Sequence, residues 1–391
     1  MDLLSQLTAF GSGLINYVIP FLFVLTIVVF FHELGHFLVA RWCGVKVKAF
    51  SVGFGPEIFG FYDKHGTRWR FAWVPLGGYV KFMDDENAAS APSREAYKNM
   101  SEEEREGSFQ GKTVGQRAAV VAAGPIANFI LAIVIFAGMY SIVGQKITMA
   151  RVDQVSPGSA AATAGFKAGD LVVSIDGSEI ESFNNLQRIV GMSADKSLEI
   201  VVNRDEELVT LIAVPARKEV KDRFGNVARI GQLGIRRTTN PEDWVFTRLD
   251  PISAVWRGTQ ETYFIVARTL GYLGDVVMGR EKADQLGGPL RIAEVSGQMA
   301  SIGFIALLNL AAVLSVSIGL INLFPVPLLD GGHLVFYAYE AVMGRPLSES
   351  VQEVGFKIGL ALVLMLMVFA TWNDISRCVT ESCFSSNLMP G

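Results

Sequence analysis

Cysteine is almost missing from this chain of 391 residues, with three in all, Cys43, Cys378 and Cys383. Their scatter excludes a disulfide framework and a cysteine-based zinc site. Cys378 and Cys383 can pair if the C-terminus faces an oxidising compartment; two free thiols is the equal alternative. Histidine is also scarce, with four residues, His32, His36, His65 and His333. No Lys or Arg precedes Arg41, and no small-residue cleavage site is evident, so the first apolar segment reads as a retained span and not a signal peptide. From Val18 to Phe31 there is no charged residue. The formal net charge of −4 gives no reason to expect nucleic acid as a partner.

What the chain has in plenty is apolar residues. They make up 50% of it against 18% charged, and the mean hydropathy is +0.35. That mixture suits membrane spans alternating with folded aqueous parts. A span needs about 20 apolar residues. Four segments qualify, near Tyr17–Val39, Ala118–Val143, Phe304–Phe324 and Phe356–Trp372.

The first of these holds Phe30-Phe31-His32-Glu33-Leu34-Gly35-His36. Residues four apart on a helix share a face, so both imidazoles can bind one zinc ion. Glu33 stands beside them as a base for a zinc-bound water. The motif is weak evidence in a soluble helix. Inside a span, ionisable groups are costly and mark function. His65 lies in a charged stretch and reads as a surface residue.

Loop charge sets the orientation. Arg41, Lys46 and Lys48 follow span one, and Lys112 and Arg117 precede span two. The positive-inside rule puts this loop in the cytoplasm and the N-terminus outside. Alternation then puts 145–300 and the C-terminus outside, and brings the end of span three to the side where His32 and His36 lie. There stands Asn322-Leu323-Phe324-Pro325-Val326-Pro327-Leu328-Leu329-Asp330-Gly331-Gly332-His333. Two histidines and a carboxylate leave one zinc position open for water, as catalytic sites require. This favours Asp330 as third ligand over its competitor, His333.

The outer segment contains Ser156-Pro157-Gly158-Ser159-Ala160-Ala161 and Ala164-Gly165-Phe166-Lys167-Ala168-Gly169-Asp170-Leu171-Val172-Val173-Ser174-Ile175-Asp176-Gly177. This run resembles a bacterial PDZ domain. Val172–Ile175 reads as a buried strand, Asp176-Gly177 as a hairpin turn, Phe183–Val190 as a helix, and Leu198–Val202 and Leu208–Val214 as strands. PDZ domains add an extended peptide, such as a protein C-terminus, to a sheet edge. The groove expected here lies between a strand near Ile147–Val152 and the helix near Leu186–Val190. A β-rich spacer without a ligand is the alternative.

Between spans one and two, Val47–Val52 and Phe71–Val74 read as strands, with turns at Gly53–Pro56 and Pro75–Gly78. Residues 84–106 read as a loop with a short helix or disorder. Ala254–Met278 reads as one or two amphipathic helices, on the membrane surface or against the outer domain. Gly287-Gly288-Pro289 marks a break.

The chain resembles the site-2 protease family of intramembrane zinc metalloproteases, in the branch of the regulator of sigma-E protease, with a single PDZ unit. The residues that carry this are His32–His36, Asn322–Gly331, Gly77-Gly78-Tyr79-Val80-Lys81-Phe82 and Ala122-Ala123-Gly124-Pro125-Ile126-Ala127-Asn128-Phe129. The resemblance implies a polytopic α-helical membrane protein with four transmembrane helices, a membrane-associated β-hairpin or sheet, and a PDZ-like α+β domain. In this layout 1–44 is the first span and 45–117 the cytoplasmic-side β-structure and loop. Residues 118–144 form the second span, 145–240 the PDZ domain and 241–302 amphipathic helices and linker. The third span takes 303–335, and the fourth span and tail take 336–391. The implied ligands of Zn2+ are His32, His36 and Asp330. Glu33 is the implied general base, Asn322 a group that positions substrate or stabilises the oxyanion, and Gly77, Gly78, Tyr79 and Val80 a strand that pairs with unwound substrate. That strand could instead only plug the membrane face. The implied setting is the bacterial inner membrane. Implied partners are membrane lipid and single-span proteins such as an anti-sigma factor, with remnant signal peptides as further substrates. A membrane PDZ receptor would need no metal ligands. A zinc transporter would want ionisable residues in several spans.

Overall fold

The structure, a computed structural model, describes residues 14–84, 100–147, 149–180, 182–221, 227–237, 245–280 and 287–381. Two compact units emerge, one of residues 138–254 and one of the segments flanking it. The pairing expected for Cys378 and Cys383 falls outside the described side chains.

The flanking unit is built on four helices long and apolar enough to cross a membrane: Ile15–Trp42, Val114–Val143, Phe304–Asn322 and Glu349–Arg377. In the first, a π-helical turn at Leu14–Val18 leads into α1, Ile19–Trp42, with a proline in its opening turn, where no intrahelical N–H bond is forfeited. After it come two long strands, β1 (Val47–Tyr62) and β2 (Arg68–Phe82), paired antiparallel. Their connection is a turn in which Asp63 Oδ1 accepts from the N–H groups of His65 and Thr67, and His65 is exposed.

The turns expected at Gly53–Pro56 and Pro75–Gly78 lie inside these strands instead. Residues 47–52 pair with 78–82 along one edge and 49–52 with 68–71 along the other, while 54–62 pair with 68–74, so each strand must bend to meet both partners. Gly53 and Gly55 supply that bend at φ +91° and +88°. A Cβ on Gly53 would also stand 2.9 Å from the Val74 carbonyl. Glycine and proline mark bends here as readily as chain reversals. The sheet is fastened to α1 by aromatic packing: Phe50 lies 5.7 Å from Phe30, 5.4 Å from Phe37 and 4.4 Å from Trp69, ring centre to ring centre. Its far end leaves Phe54, Phe59, Phe61, Phe71 and Trp73 exposed.

Next, the short helix α2 (Glu102–Gly107) starts with a capping box formed by Ser101 and Glu104. Of the loop expected at 84–106, residues 85–99 lie outside the described ones. Span two is α3, Val114–Gly138, followed by a π-helical turn to Val143.

The second unit has a hydrophobic core of its own. Its elements are β3 (Gln145–Ile147), β4 (Gln154–Val155), α4 (Ala160–Ala164), β5 (Leu171–Ile175), β6 (Ser178–Glu179), α5 (Phe183–Met192), β7 (Leu198–Arg204) and β8 (Glu207–Ala213). Then come β9 (Ala216–Lys221), β10 (Val227–Gln232), β11 (Ile235–Arg236) and β12 (Val245–Thr247). The main sheet has the order β6-β5-β7-β8, and Val152, Val172, Ile175, Leu186, Ile200, Val202 and Leu233 fill its core. Asp176 and Gly177 both take positive φ, 47° and 76°, as a tight hairpin turn requires. Asp205-Glu206 makes a second such turn, at 51° and 71°. The strand expected over 147–152 is interrupted: β3 pairs with β12, and Arg151 only bridges to Leu171.

One continuous helix, α6 (Pro251–Val277), follows. The break at Gly287–Pro289 opens a helix the sequence reading lacks, α7 (Pro289–Ile302). Its N-cap is Gly288, which has no side chain to offer. Asp374 from span four supplies the acceptor, taking the N–H groups of Gly288 and Arg291 at 3.0 Å each. Span three is α8 (Phe304–Asn322), packed on span one through Val24, Val28, Leu307 and Ala311. The chain breaks there, at Pro325 and Pro327, and α9 (Asp330–Met343) begins on Asp330 itself. Span four is α10, Glu349–Glu381.

Candidate metal centre

Side chains from two distant stretches of the sequence meet inside the flanking unit. His32 and His36 stand one turn apart on α1, with Nε2 atoms 3.2 Å from each other. Asp330 Oδ2, at the start of α9, lies 3.2 Å from His32 Nε2 and 3.6 Å from His36 Nε2. They form a cluster of metal-ligating groups among the described residues. Donor atoms about 2.0–2.1 Å from a tetrahedral ion stand roughly 3.3–3.4 Å apart, so the three observed distances fit one zinc ion.

The hydrogen bonding points the same way. His36 Nδ1 donates to the Val120 carbonyl at 2.8 Å. A carbonyl can only accept, so the proton of neutral His36 sits on Nδ1 and leaves a bare lone pair on Nε2. That lone pair faces Asp330 Oδ2, which is buried and has no hydrogen-bond partner among the described residues. Electron-rich atoms so placed repel one another unless a positive charge lies between them. A bound cation is one physical reason for such an orphan, and the one that two facing imidazoles suit.

Helix packing explains how the histidines and span two come so close. A Cβ on Gly35 would run into the Ala123 carbonyl and the Ala127 side chain, and one on Gly124 would run into the His36 and His32 rings. The two helices thus touch through missing side chains, and Gly124 leaves room for the imidazoles. Asn128, one turn further on and fully buried, places its side-chain Nδ2 3.2 Å from His32 Nδ1. Ser315 on span three donates to the Asn128 carbonyl at 2.8 Å. Val120, Gly124 and Asn128 had no individual role in the sequence reading. The visible signal was a glycine and an amide in an apolar span, where polar groups mark function.

Glu33 points toward the sheet. Its carboxylate takes a backbone hydrogen bond from Val80 and lies in the electrostatic field of His32, His36 and Asp330. A Cβ on Gly78 would stand 3.2 Å from Glu33 Cγ. So Gly78 and Val80, two of the four strand residues named from the sequence, adjoin Glu33. Gly77 sits at φ +155° against the Phe54 ring, and Tyr79 stacks on Phe54 at 6.2 Å while accepting from Arg70. Asn322 ends α8, half-buried, and no polar contact joins it to the metal-ligating trio among the described residues. His333 is held between the rings of Phe336 and Phe356, at 6.3 and 5.5 Å.

The Asp330 helix is fixed at its other end. Arg117 on α3 pairs with Glu340 at 2.7 Å and lies over the Tyr337 ring at 5.0 Å. The loop ahead of Asp330 rests on span four, where Gly359 meets the Pro327 carbonyl so closely that no Cβ fits. Leu328 in that loop holds a strained φ of +123°.

Residues 20–366 match the model of peptidase family M50. A protein of Agrobacterium fabrum named as a zinc metalloprotease is 50% identical over 379 residues, 97% of this chain and 100% of the relative. A zinc metalloprotease of Rhizobium meliloti is 50% identical over 363 residues, 93% and 97% of the two chains. Metalloprotease MmpA of Caulobacter vibrioides is 41% identical over 387 residues, 93% and 96% of the two chains.

Proposed function

This chain belongs to peptidase family M50 and is a zinc metalloprotease of the membrane, and from that premise we propose that it hydrolyses peptide bonds within the transmembrane segments of single-span proteins. The observation that carries this reading is the half-buried His32–His36–Asp330 cluster, whose two histidines stand on a helix long and apolar enough to cross a bilayer. When bound, zinc brings its water to a pKa of about 7 and polarises the scissile carbonyl.

In this reading His32, His36 and Asp330 hold the metal. Glu33 takes a proton from the attacking water and returns it to the leaving amine. The Val80 backbone bond orients the Glu33 carboxylate for that exchange. Asn322 steadies the substrate carbonyl.

A helical substrate hides its peptide bonds in its own hydrogen bonds and must unwind first. Strand residues 77–80, running past Glu33, suit an extended chain laid beside the base. The exposed aromatics at the far end of the sheet suit contact with lipid.

The reading places the chain in the bacterial inner membrane, the metal centre toward the cytoplasm and residues 138–254 outside. The basic residues between spans one and two support that orientation. The outer unit then serves as a PDZ-like docking site or size filter for peptide or protein C-termini. An anti-sigma factor already trimmed outside, and remnant signal peptides, are the substrate classes.

The test is a cleavage assay on a single-span substrate with purified wild type and Glu33→Gln. Glu33→Gln keeps zinc and loses cleavage by about 10²–10⁴-fold, since an amide cannot take the proton. Turnover near wild type would remove Glu33 from the mechanism. Single cysteines substituted at Ser178 and Ser101 check orientation. The first reacts with an impermeant reagent on intact cells and the second only after permeabilisation; the opposite pattern inverts the topology.

A further inference from the structure

We propose that Asn128 is the positioning residue for His32: its side-chain oxygen accepts the Nδ1–H of His32 and so keeps Nε2 bare for zinc. The inference rests on His32 being a zinc ligand, as argued above, and deepens that reading by assigning a role on span two.

The starting point is a mismatch at one buried amide. Asn128 turns Nδ2 toward His32 Nδ1 at 3.2 Å, while its own Oδ1 is buried with no hydrogen-bond partner. With the amide set that way, its N–H donates to a lone pair on His32 Nδ1. The ring proton of neutral His32 is then forced onto Nε2, the nitrogen that faces His36 and Asp330. Metal binding requires the opposite tautomer. Oxygen and nitrogen of an amide are assigned from the network around them, and a half-turn about the Cβ–Cγ bond exchanges them. After the exchange Oδ1 accepts from Nδ1–H, and Nε2 presents its lone pair to the metal. One amide group lacks a partner in either setting. What the half-turn changes is the tautomer of His32.

The second histidine supplies the precedent within the same molecule. His36 Nδ1 gives its proton to the Val120 carbonyl at 2.8 Å. Val120 and Asn128 are both on α3, so one helix fixes the outward nitrogen of each ligand. Metal-bound histidines almost always make such a bond, and its partner orients the ring. Asn128 is itself held in place. Ser315 donates to its backbone carbonyl, and a Cβ on Gly319 would stand 3.2 Å from the Asn128 Cβ, so span three closes behind its backbone.

The experiment is zinc affinity of the detergent-solubilised full chain, by competition with a chromophoric chelator. The proteins are wild type, Asn128→Leu, Asn128→Asp and His32→Ala. Leucine matches the volume and removes the acceptor; aspartate keeps an acceptor. Asn128→Leu binds zinc about 10–100-fold more weakly than wild type, and Asn128→Asp binds within about threefold of it or tighter. A residue that only filled space would give the reverse order, because leucine suits an apolar slot and a carboxylate does not. That order, or equal affinities for Asn128→Leu and wild type, overturns the proposal. If Asn128→Leu does not fold, Asn128→Ala takes its place in the same ranking. His32→Ala separates the two levels of the argument. Unchanged zinc affinity in His32→Ala would sink the ligand assignment itself. Loss of zinc in His32→Ala beside normal binding in Asn128→Leu would sink only the role of Asn128.

Discussion

Two aspartates, one in each unit, the first fully buried and the second half-buried, are opposites in how their oxygens are satisfied. Asp170 follows a glycine at the start of a strand in the soluble unit. Its carboxylate takes two hydrogen bonds from Arg204, at 2.7 and 2.8 Å, and one from the Lys167 N–H at 2.8 Å. Burial pushes this carboxyl up, but those bonds and the Arg204 charge outweigh it and hold it below the usual carboxylate range. Asp330 opens a helix among the spans and keeps an oxygen that no donor satisfies. A closed set of partners marks a residue that builds structure. An open one, facing two imidazoles, suits the metal ligand proposed above. The completeness of the hydrogen bonding among the described residues is what tells the two apart.

The contrast can be broken at its functional end first. Asp330→Ala should weaken zinc binding by more than about 100-fold, above the range for groups that only orient a ligand. The strands of the 138–254 unit should keep their hydrogen-exchange protection. His333→Ala should stay within about tenfold of wild type, since its ring sits between two aromatics. Metal analysis of both variants decides the matter: an empty site in His333→Ala with a filled one in Asp330→Ala would exchange their roles.

At the structural end, Asp170→Ala should lower the stability of the 138–254 unit by about 1–3 kcal/mol, because the Lys167 N–H and two N–H groups of Arg204 lose their acceptor. Urea-dependent exchange at β5 and β7 measures this. Zinc content should not change, and a loss of zinc would show that the two aspartates are not separable.

A smaller effect should appear in acid. The folded Asp170 has a lower pKa than the unfolded one, about 3.9, so its contribution is complete above that value. It is lost as pH falls through the folded pKa. Wild type should therefore lose more stability than Asp170→Ala as pH falls below about 4. Equal losses would mean that Asp170 does not control the acid limb.

Much of the site was legible because it obeys spacing rules. His32 and His36 declare themselves by a period of four inside an uncharged run, and Asp330 by topology and ligand chemistry. The four spans are equally plain from length and hydropathy. The residues that hold the ligands are less so. Val120 acts through a backbone carbonyl, which any residue could supply. Asn128 and Gly124 matter only because α3 crosses α1 at that point, and no local pattern encodes a crossing. The long strands were misread because Gly53, Gly55 and Gly77 mark bends where the register changes. Asp205-Glu206 was missed because its second position carries none of the residues that normally announce such a turn. The helix at Pro289–Ile302 was missed for another reason: its cap comes from Asp374, more than eighty residues away.

Span two contributes no atom to the metal-ligating trio, yet both histidines and the Asp330 helix hang from it, through Val120, Asn128 and the Arg117–Glu340 pair. It works as a common chassis. Neighbouring helices can sway with the bilayer while the three donors travel together, because their errors are referred to one frame. On heating, the centre should therefore empty in a single step when α3 lets go, and not donor by donor.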